Sequence, residues 1–61
     1  MSVEQKLQTL LQIKIDKYRA QGDEHPESAA QYTVADILNM YKHSPDIELL
    51  LDMEIEDANH V

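Results

Sequence analysis

Apolar side chains recur at helical spacing over the first third of the chain, at Val3, Leu7, Leu10, Leu11 and Tyr18. Residues three and four positions apart share one face of an α-helix, so this stripe predicts an amphipathic helix. Ser2 and Gln5 match the capping box that satisfies free backbone N–H groups where a helix begins. Gly22 is typical of the residue that follows a helix. The pattern therefore predicts helix 1 over residues 3–21.

A second stripe follows a polar break and consists of Val34, Ile37, Leu38 and Tyr41. Helix 2 has two possible starting points. One is Pro26, because proline is favoured in the first helical turn. The other is Thr33, which forms a capping pair with Asp36. We expect helix 2 over residues 33–43, ending before Pro45, because proline disfavours helical geometry in the residue that precedes it.

The last third of the chain carries two conflicting patterns. Ser44, Pro45 and Asp46 are typical of an N-cap, a first helical residue and an acid in the first turn, and they predict helix 3 over residues 45–57. Residues 47–55 also alternate between apolar and mostly acidic side chains, as a half-buried β-strand does. A β-α-β unit completed by dimerisation is therefore the alternative fold. The leucine, glutamate and methionine content favours a helix, and we predict an all-α, compact three-helix domain.

The chain length argues for additional stabilisation of this domain, which spans residues 1–61. A domain of this size buries only about 60% of the surface that its unfolded chain exposes. Small domains usually need a disulfide, a metal or oligomerisation, and the sequence contains no cysteine. We therefore expect a homodimer formed through helices 1 and 3.

Helix 3 supplies the apolar residues for that interface, because its apolar side chains lie on two flanks. Ile47, Leu50 and Leu51 form one stripe, whereas Leu49 and Met53 project from another flank. Two other short helices cannot easily cover both flanks of one helix. Exposed contiguous apolar surface usually marks an interaction site, so we assign these five residues to self-association.

The net charge of −7 is distributed unevenly. Residues 1–22 have a net charge of +2, and residues 23–61 have ten acids against Lys42 alone. Direct nucleic-acid binding requires a basic face that displaces counterions from phosphates. We therefore expect no direct nucleic-acid binding, and a protein partner with a basic surface.

Three of these acids form a row on predicted helix 3. Glu48, Asp52 and Glu56 are four residues apart, with about 6 Å of helix rise between neighbours. Like charges at this spacing destabilise a helix by about 0.2–0.5 kcal/mol per pair. We interpret the row as a surface that binds the basic partner. The alternative interpretation is a solvated face that only keeps a small protein in solution.

Two charged residues occupy positions that should be buried. At about 100° per residue, Lys14 lies at the centre of the apolar stripe of helix 1. Glu54 lies at the centre of the stripe formed by Ile47, Leu50, Leu51 and Ala58. We predict a buried ion pair between Lys14 and Glu54, within one chain or across a dimer.

The sequence has no motif typical of catalysis, of a cofactor site or of a membrane span. His25, His43 and His60 are too far apart in sequence for the ligand pair that a helix face presents to a metal. With one glycine and no glycine-rich loop, the chain has little means to form a pocket that tunes a catalytic pKa. We therefore expect no enzyme, no metal and no cofactor. No apolar run approaches the roughly 18 residues of a membrane span, and no signal peptide is evident, so we expect a cytoplasmic protein.

Three hypotheses of function follow from these features. The first is a small acidic regulatory or inhibitory module that binds another protein. The second is a nucleic-acid mimic that occupies the basic groove of a DNA- or RNA-handling protein. The third is a structural helical module whose only activity is assembly.

Overall fold

The computed structural model describes residues 2–59. They form three α-helices: α1 (Val3–Ala20), α2 (Pro26–Tyr41) and α3 (Ile47–Asn59). Within this range no residue belongs to a β-strand, so the all-α three-helix prediction is confirmed and the β-α-β alternative is wrong. The helical period dominates in the last segment because Ile47, Leu51, Ile55 and Ala58, spaced three or four residues apart, all pack on the core.

Both ends of α1 follow from local sequence. The Ser2 side chain accepts a hydrogen bond from the Gln5 backbone N–H, and the Gln5 side chain accepts one from the Ser2 N–H. At the other end Gly22 has a φ of 84°, in the left-handed region that glycine adopts without strain. This conformation lets the N–H groups of Gly22 and Asp23 donate to the carbonyls of Arg19 and Tyr18, which are the two bonds of a Schellman motif.

Helix α2 begins at Pro26, seven residues before the predicted start at Thr33. Pro26 and Glu27 occupy the first turn, where a missing N–H is harmless and an acid suits the helix dipole. The Thr33 hydroxyl does not cap the helix, because it donates to the carbonyl of Ala29 one turn earlier. The helix ends at Tyr41, two residues short of the prediction.

Helix α3 begins two residues later than predicted. Residues 44–46 form a turn in which the Ser44 hydroxyl accepts a hydrogen bond from the Asp46 N–H. The Asp46 carbonyl accepts from the Leu50 N–H, so the first helical hydrogen bond starts at Asp46. Ser44, Pro45 and Asp46 therefore form the turn that precedes α3, and they are not part of the helix itself.

The core lies where the three helices meet. Leu10 of α1, Ile37 of α2 and Leu51 of α3 form its buried cluster, and Leu10 and Leu51 have no exposed surface. Helix α1 packs extensively against both α2 and α3, whereas α2 and α3 contact each other less. The first turns of α1 and α3 lie side by side, because Lys6 contacts both Glu48 and Asp52. Helix α1 thus positions α3, the helix that carries most of the predicted site.

Candidate partner-binding surface

A lysine that was not predicted to be buried divides the acidic row of α3. The Lys6 Nζ atom lies 3.0 Å from the Asp52 Oδ2 atom and donates to the Glu48 backbone carbonyl at 3.3 Å. Only 9% of the Lys6 side chain is exposed, against 51% of the Asp52 side chain. Asp52 is therefore neutralised from within the chain, whereas Glu48 and Glu56 are exposed.

The sequence contained a signal for the burial of Lys6. This residue follows Val3 by three positions and precedes Leu10 by four, so it shares a helix face with two core residues. Its aliphatic stem covers apolar surface while its amine reaches an acid of the neighbouring helix. The partner of Lys6 could not be predicted in the same way. It depends on which residue of α3 faces Lys6, and the spacing of residues within α1 does not contain that information.

The predicted pair of Lys14 and Glu54 is not formed within the chain. Both side chains are half-buried, and Glu54 accepts a hydrogen bond of 3.0 Å from the Tyr41 hydroxyl. Among residues 2–59 the ion pairs are Lys6–Asp52 and Arg19–Glu27. Pairing of Lys14 with Glu54 across a dimer stays a prediction.

The hydrogen bond between Tyr41 and Glu54 also changes the acidity of the tyrosine. The neutral hydroxyl donates to the carboxylate, and this bond raises the pKa of Tyr41 above 10.0. Desolvation and the negative charges of Glu54 and Asp57 raise the pKa further, since both disfavour a phenolate. Glu54 therefore acts in the contact between α2 and α3.

The five residues assigned to self-association differ in how far they are buried. Leu51 is fully buried and Ile47 packs on the core, so these two stabilise the chain's own fold. Leu50 is half-buried. Leu49 and Met53 are 61% and 53% exposed, and no other helix of the described chain covers them. The predicted second apolar flank of α3 is therefore present, and it consists of Leu49 and Met53.

Leu49 and Met53, one turn apart, form what we call the apolar strip of α3. At about 100° per residue, Glu48, Asp52 and Glu56 lie along one side of this strip. Asp46 and Asp57 lie on the other side, and both are exposed. The strip is thus enclosed by carboxylates on both sides.

The apolar strip continues into a groove at its N-terminal end. This groove has a volume of about 590 Å³ and lies between the first turns of α1 and α3. Val3, Ile47 and Leu49 give it an apolar wall, and Lys6 and Asp52 line it as well. The groove therefore extends the strip toward α1.

Within residues 2–59, no three histidine, aspartate or glutamate side chains converge in a way that could hold a metal ion. His60, one of the three histidines considered above, lies outside the described residues. No helix in the described part of the chain is both long enough and apolar enough to cross a bilayer.

Comparison of the chain with protein-family models, with curated proteins and with solved structures gives no match.

Proposed function

We propose that the chain is a small protein-binding module that regulates or inhibits another protein by docking the outward face of α3 on its surface. The observation that carries this proposal is the apolar strip, Leu49 and Met53, exposed between two sides of carboxylates. Apolar side chains in the centre of a surface and charges at its rim are the usual composition of a protein interface. The partner surface is basic, because its cations would meet the acids around the strip.

The same surface argues for a protein partner over mimicry of nucleic acid. A mimic has to present a continuous row of free anions to a basic groove. Here the middle acid of the row, Asp52, is neutralised by Lys6, and two apolar side chains lie beside the row. An apolar strip in that place supports contact with apolar residues of a protein.

Homodimerisation stays a prediction that can be tested alongside this proposal. Of the residues first assigned to it, Leu49, Leu50 and Met53 have surface to contribute. Light scattering after size exclusion at micromolar concentration should give about twice the chain mass if the dimer forms. A midpoint of thermal unfolding that rises with protein concentration would agree with it.

The test of the proposed function compares two matched double variants in affinity capture from native lysate. One is Leu49→Ser with Met53→Ser on α3. The control is Tyr32→Ser with Met40→Ser, which removes the two large exposed apolar side chains of α2. All four side chains are more than half exposed, so both variants should remain folded.

We expect a specific protein partner that is captured by the wild type and by the α2 variant and is lost with the α3 variant. The partner should carry a basic surface, and its capture should weaken as the salt concentration rises. Equal capture of every protein by the wild type and the α3 variant would refute docking through this face.

A further inference from the structure

The charges around the apolar strip are concentrated at its two ends. Asp46 and Glu48 lie at the N-terminal end, and Glu56 and Asp57 lie at the C-terminal end. All four are exposed, and within residues 2–59 none of them forms an ion pair. In the middle, the carboxylate of Asp52 is held by Lys6 at 3.0 Å. The surface therefore has an anionic end, an apolar centre and a second anionic end.

The dimensions of this arrangement specify the shape of a matching ligand. Leu49 and Met53 are about 6 Å apart along the helix axis, and Glu48 and Glu56 are about 12 Å apart. A helix that carries two apolar residues four positions apart reproduces the first distance. Lysine or arginine side chains about two helical turns apart reproduce the second distance.

We propose that the apolar strip of α3 binds an amphipathic helix of the partner, whose apolar residues lie between two groups of Lys or Arg side chains. This inference rests on the proposed function and specifies the partner's chemistry. Glu48 and Glu56 recognise the two basic groups, and Leu49 with the adjoining groove receives the apolar residues. Asp52 positions α3 through Lys6 and does not contact the partner's cations.

A second copy of the chain fits the same strip poorly. If two strips pack on each other in an antiparallel orientation, the end with Asp46 and Glu48 meets the end with Glu56 and Asp57. If they pack in parallel, each acidic end meets its own copy. Carboxylates face carboxylates in both arrangements, and such like-charge contacts suppress an interface at neutral pH.

Binding of synthetic helical peptides to the full chain tests the inference, with affinities measured by calorimetry. The first peptide has two leucines four positions apart, with two lysines in the turn before them and two in the turn after them, placed so that the two basic groups lie about 12 Å apart along the helix axis. The second peptide has the same composition with all lysines at one end. The third has serines in place of the leucines, and the fourth has glutamates in place of the lysines.

We expect the first peptide to bind at least about tenfold more tightly than each of the other three, which corresponds to about 1.4 kcal/mol. Glu48→Gln with Glu56→Gln should weaken its binding about tenfold, and higher salt should do the same to the wild type. Asp36→Asn, which removes an exposed acid of α2 outside this surface, is the control and should change its affinity less than twofold.

The inference is wrong if the first two peptides bind equally, if none binds, or if Asp36→Asn weakens binding as much as the Glu48 and Glu56 substitutions. Self-association of the wild type that is abolished by Leu49→Ser with Met53→Ser would also overturn it, because a second copy would then occupy the strip. Peptide failure combined with loss of a captured partner in the α3 variant would reject only this inference and leave the proposed function standing.

Discussion

Helix α1 holds its two neighbours by different means. Against α2, whose Ala30 is fully buried, the hydroxyls of Tyr18 and Thr33 lie 2.9 Å apart, and the ion pair Arg19–Glu27 is exposed to solvent. Against α3 the contact includes a buried charge, because the Lys6 amine binds Asp52 and the Glu48 carbonyl. The α1–α2 contact should therefore respond mainly to changes in side-chain volume, and the α1–α3 contact to changes in charge.

The largest effect is expected from a change of volume at Ala30, a fully buried residue of α2. Ala30→Leu forces extra carbon atoms into a site with no exposed surface and should lower the free energy of unfolding by about 2–3 kcal/mol. Urea unfolding followed by circular dichroism measures this change. Ala35→Leu, at an exposed position of the same helix, is the matched control and should change stability by less than about 0.5 kcal/mol. Equal effects at the two positions would show that close approach at Ala30 does not matter.

In the contact between Lys6 and Asp52, removal of the acid should lower the stability of the chain, whereas removal of the amine should have little effect on it. Asp52→Ala leaves the buried Lys6 amine with only the Glu48 carbonyl and should cost about 1–2 kcal/mol. Lys6→Met leaves Asp52 half exposed to water and should cost little, since methionine fits a buried site. Denaturant unfolding of both variants measures the asymmetry.

Asp57→Ala provides the control for this pair, because Asp57 is an exposed acid of the same helix. Its removal should stabilise the chain slightly, since an acid in the last turn opposes the helix dipole. The Lys6→Met/Asp52→Ala double variant should be more stable than Asp52→Ala alone. If Lys6→Met lowers the free energy of unfolding more than Asp52→Ala does, the Lys6 amine is more hydrated than its burial indicates.

A smaller effect is expected for the neutral hydrogen bond between α1 and α2. Because the Thr33 hydroxyl donates to the Ala29 carbonyl, the Tyr18 hydroxyl is the donor to Thr33. Tyr18→Phe should therefore cost about 0.5–1.5 kcal/mol. Tyr32→Phe is the control, since Tyr32 is 76% exposed, and its thermal midpoint should match that of the wild type. Identical midpoints for both variants would argue against this hydrogen bond.

The smallest effect concerns Tyr41, whose contact with Glu54 joins α2 and α3. The raised pKa of Tyr41 means that the folded state favours the neutral hydroxyl. The hydrogen bond between Tyr41 and Glu54 should contribute fully to stability below a pH of about 10, the usual pKa of tyrosine. It should be lost as the pH rises further through the raised pKa of the folded state. The stability difference between wild type and Tyr41→Phe, measured by urea unfolding on both sides of pH 10, should therefore shrink at high pH.

Because the chain has three tyrosines, titration of the Tyr41 ring resonances by NMR gives an independent measurement of the same contact. Glu54→Gln should lower the pKa of Tyr41 toward its ordinary value, because the hydrogen bond to a carboxylate and the charge that opposes the phenolate are both removed. A pKa of Tyr41 that is unchanged by Glu54→Gln would contradict the contact.

Local signals predicted the ends of α1 well. The capping box at Ser2 and Gln5 and the positive φ of Gly22 act within a few residues, so the sequence contains the whole motif. The start of α2 was less predictable, because both Pro26 and Thr33 have residues typical of a helix start. The start at Pro26 adds about two turns, which carry Ala29 and Ala30, and the burial of Ala30 is a tertiary effect.

The candidate site could be predicted as far as single-helix geometry extends. Helical spacing placed Leu49 and Met53 on a separate flank from Leu51, and the structure has the first two exposed and the third buried. The same arithmetic selected Lys14 as the buried lysine, whereas Lys6 is the one that pairs. Which lysine meets an acid depends on the register of α1 against α3, and that register is set by packing across two helices.

The bond between Lys6 and Asp52 also has a consequence for the order in which the chain folds. It joins residues 46 positions apart, whereas Tyr18 and Thr33 are 15 positions apart. Closing the longer loop costs about 1 kcal/mol more chain entropy, so we expect contacts between successive helices to form more readily than the contact between α1 and α3. Until α1 and α3 meet, the amine of Lys6 would remain in water and Asp52 would have no partner. We therefore expect this bond to form late in folding, and Asp52→Ala should mainly accelerate unfolding, with little change in the folding rate.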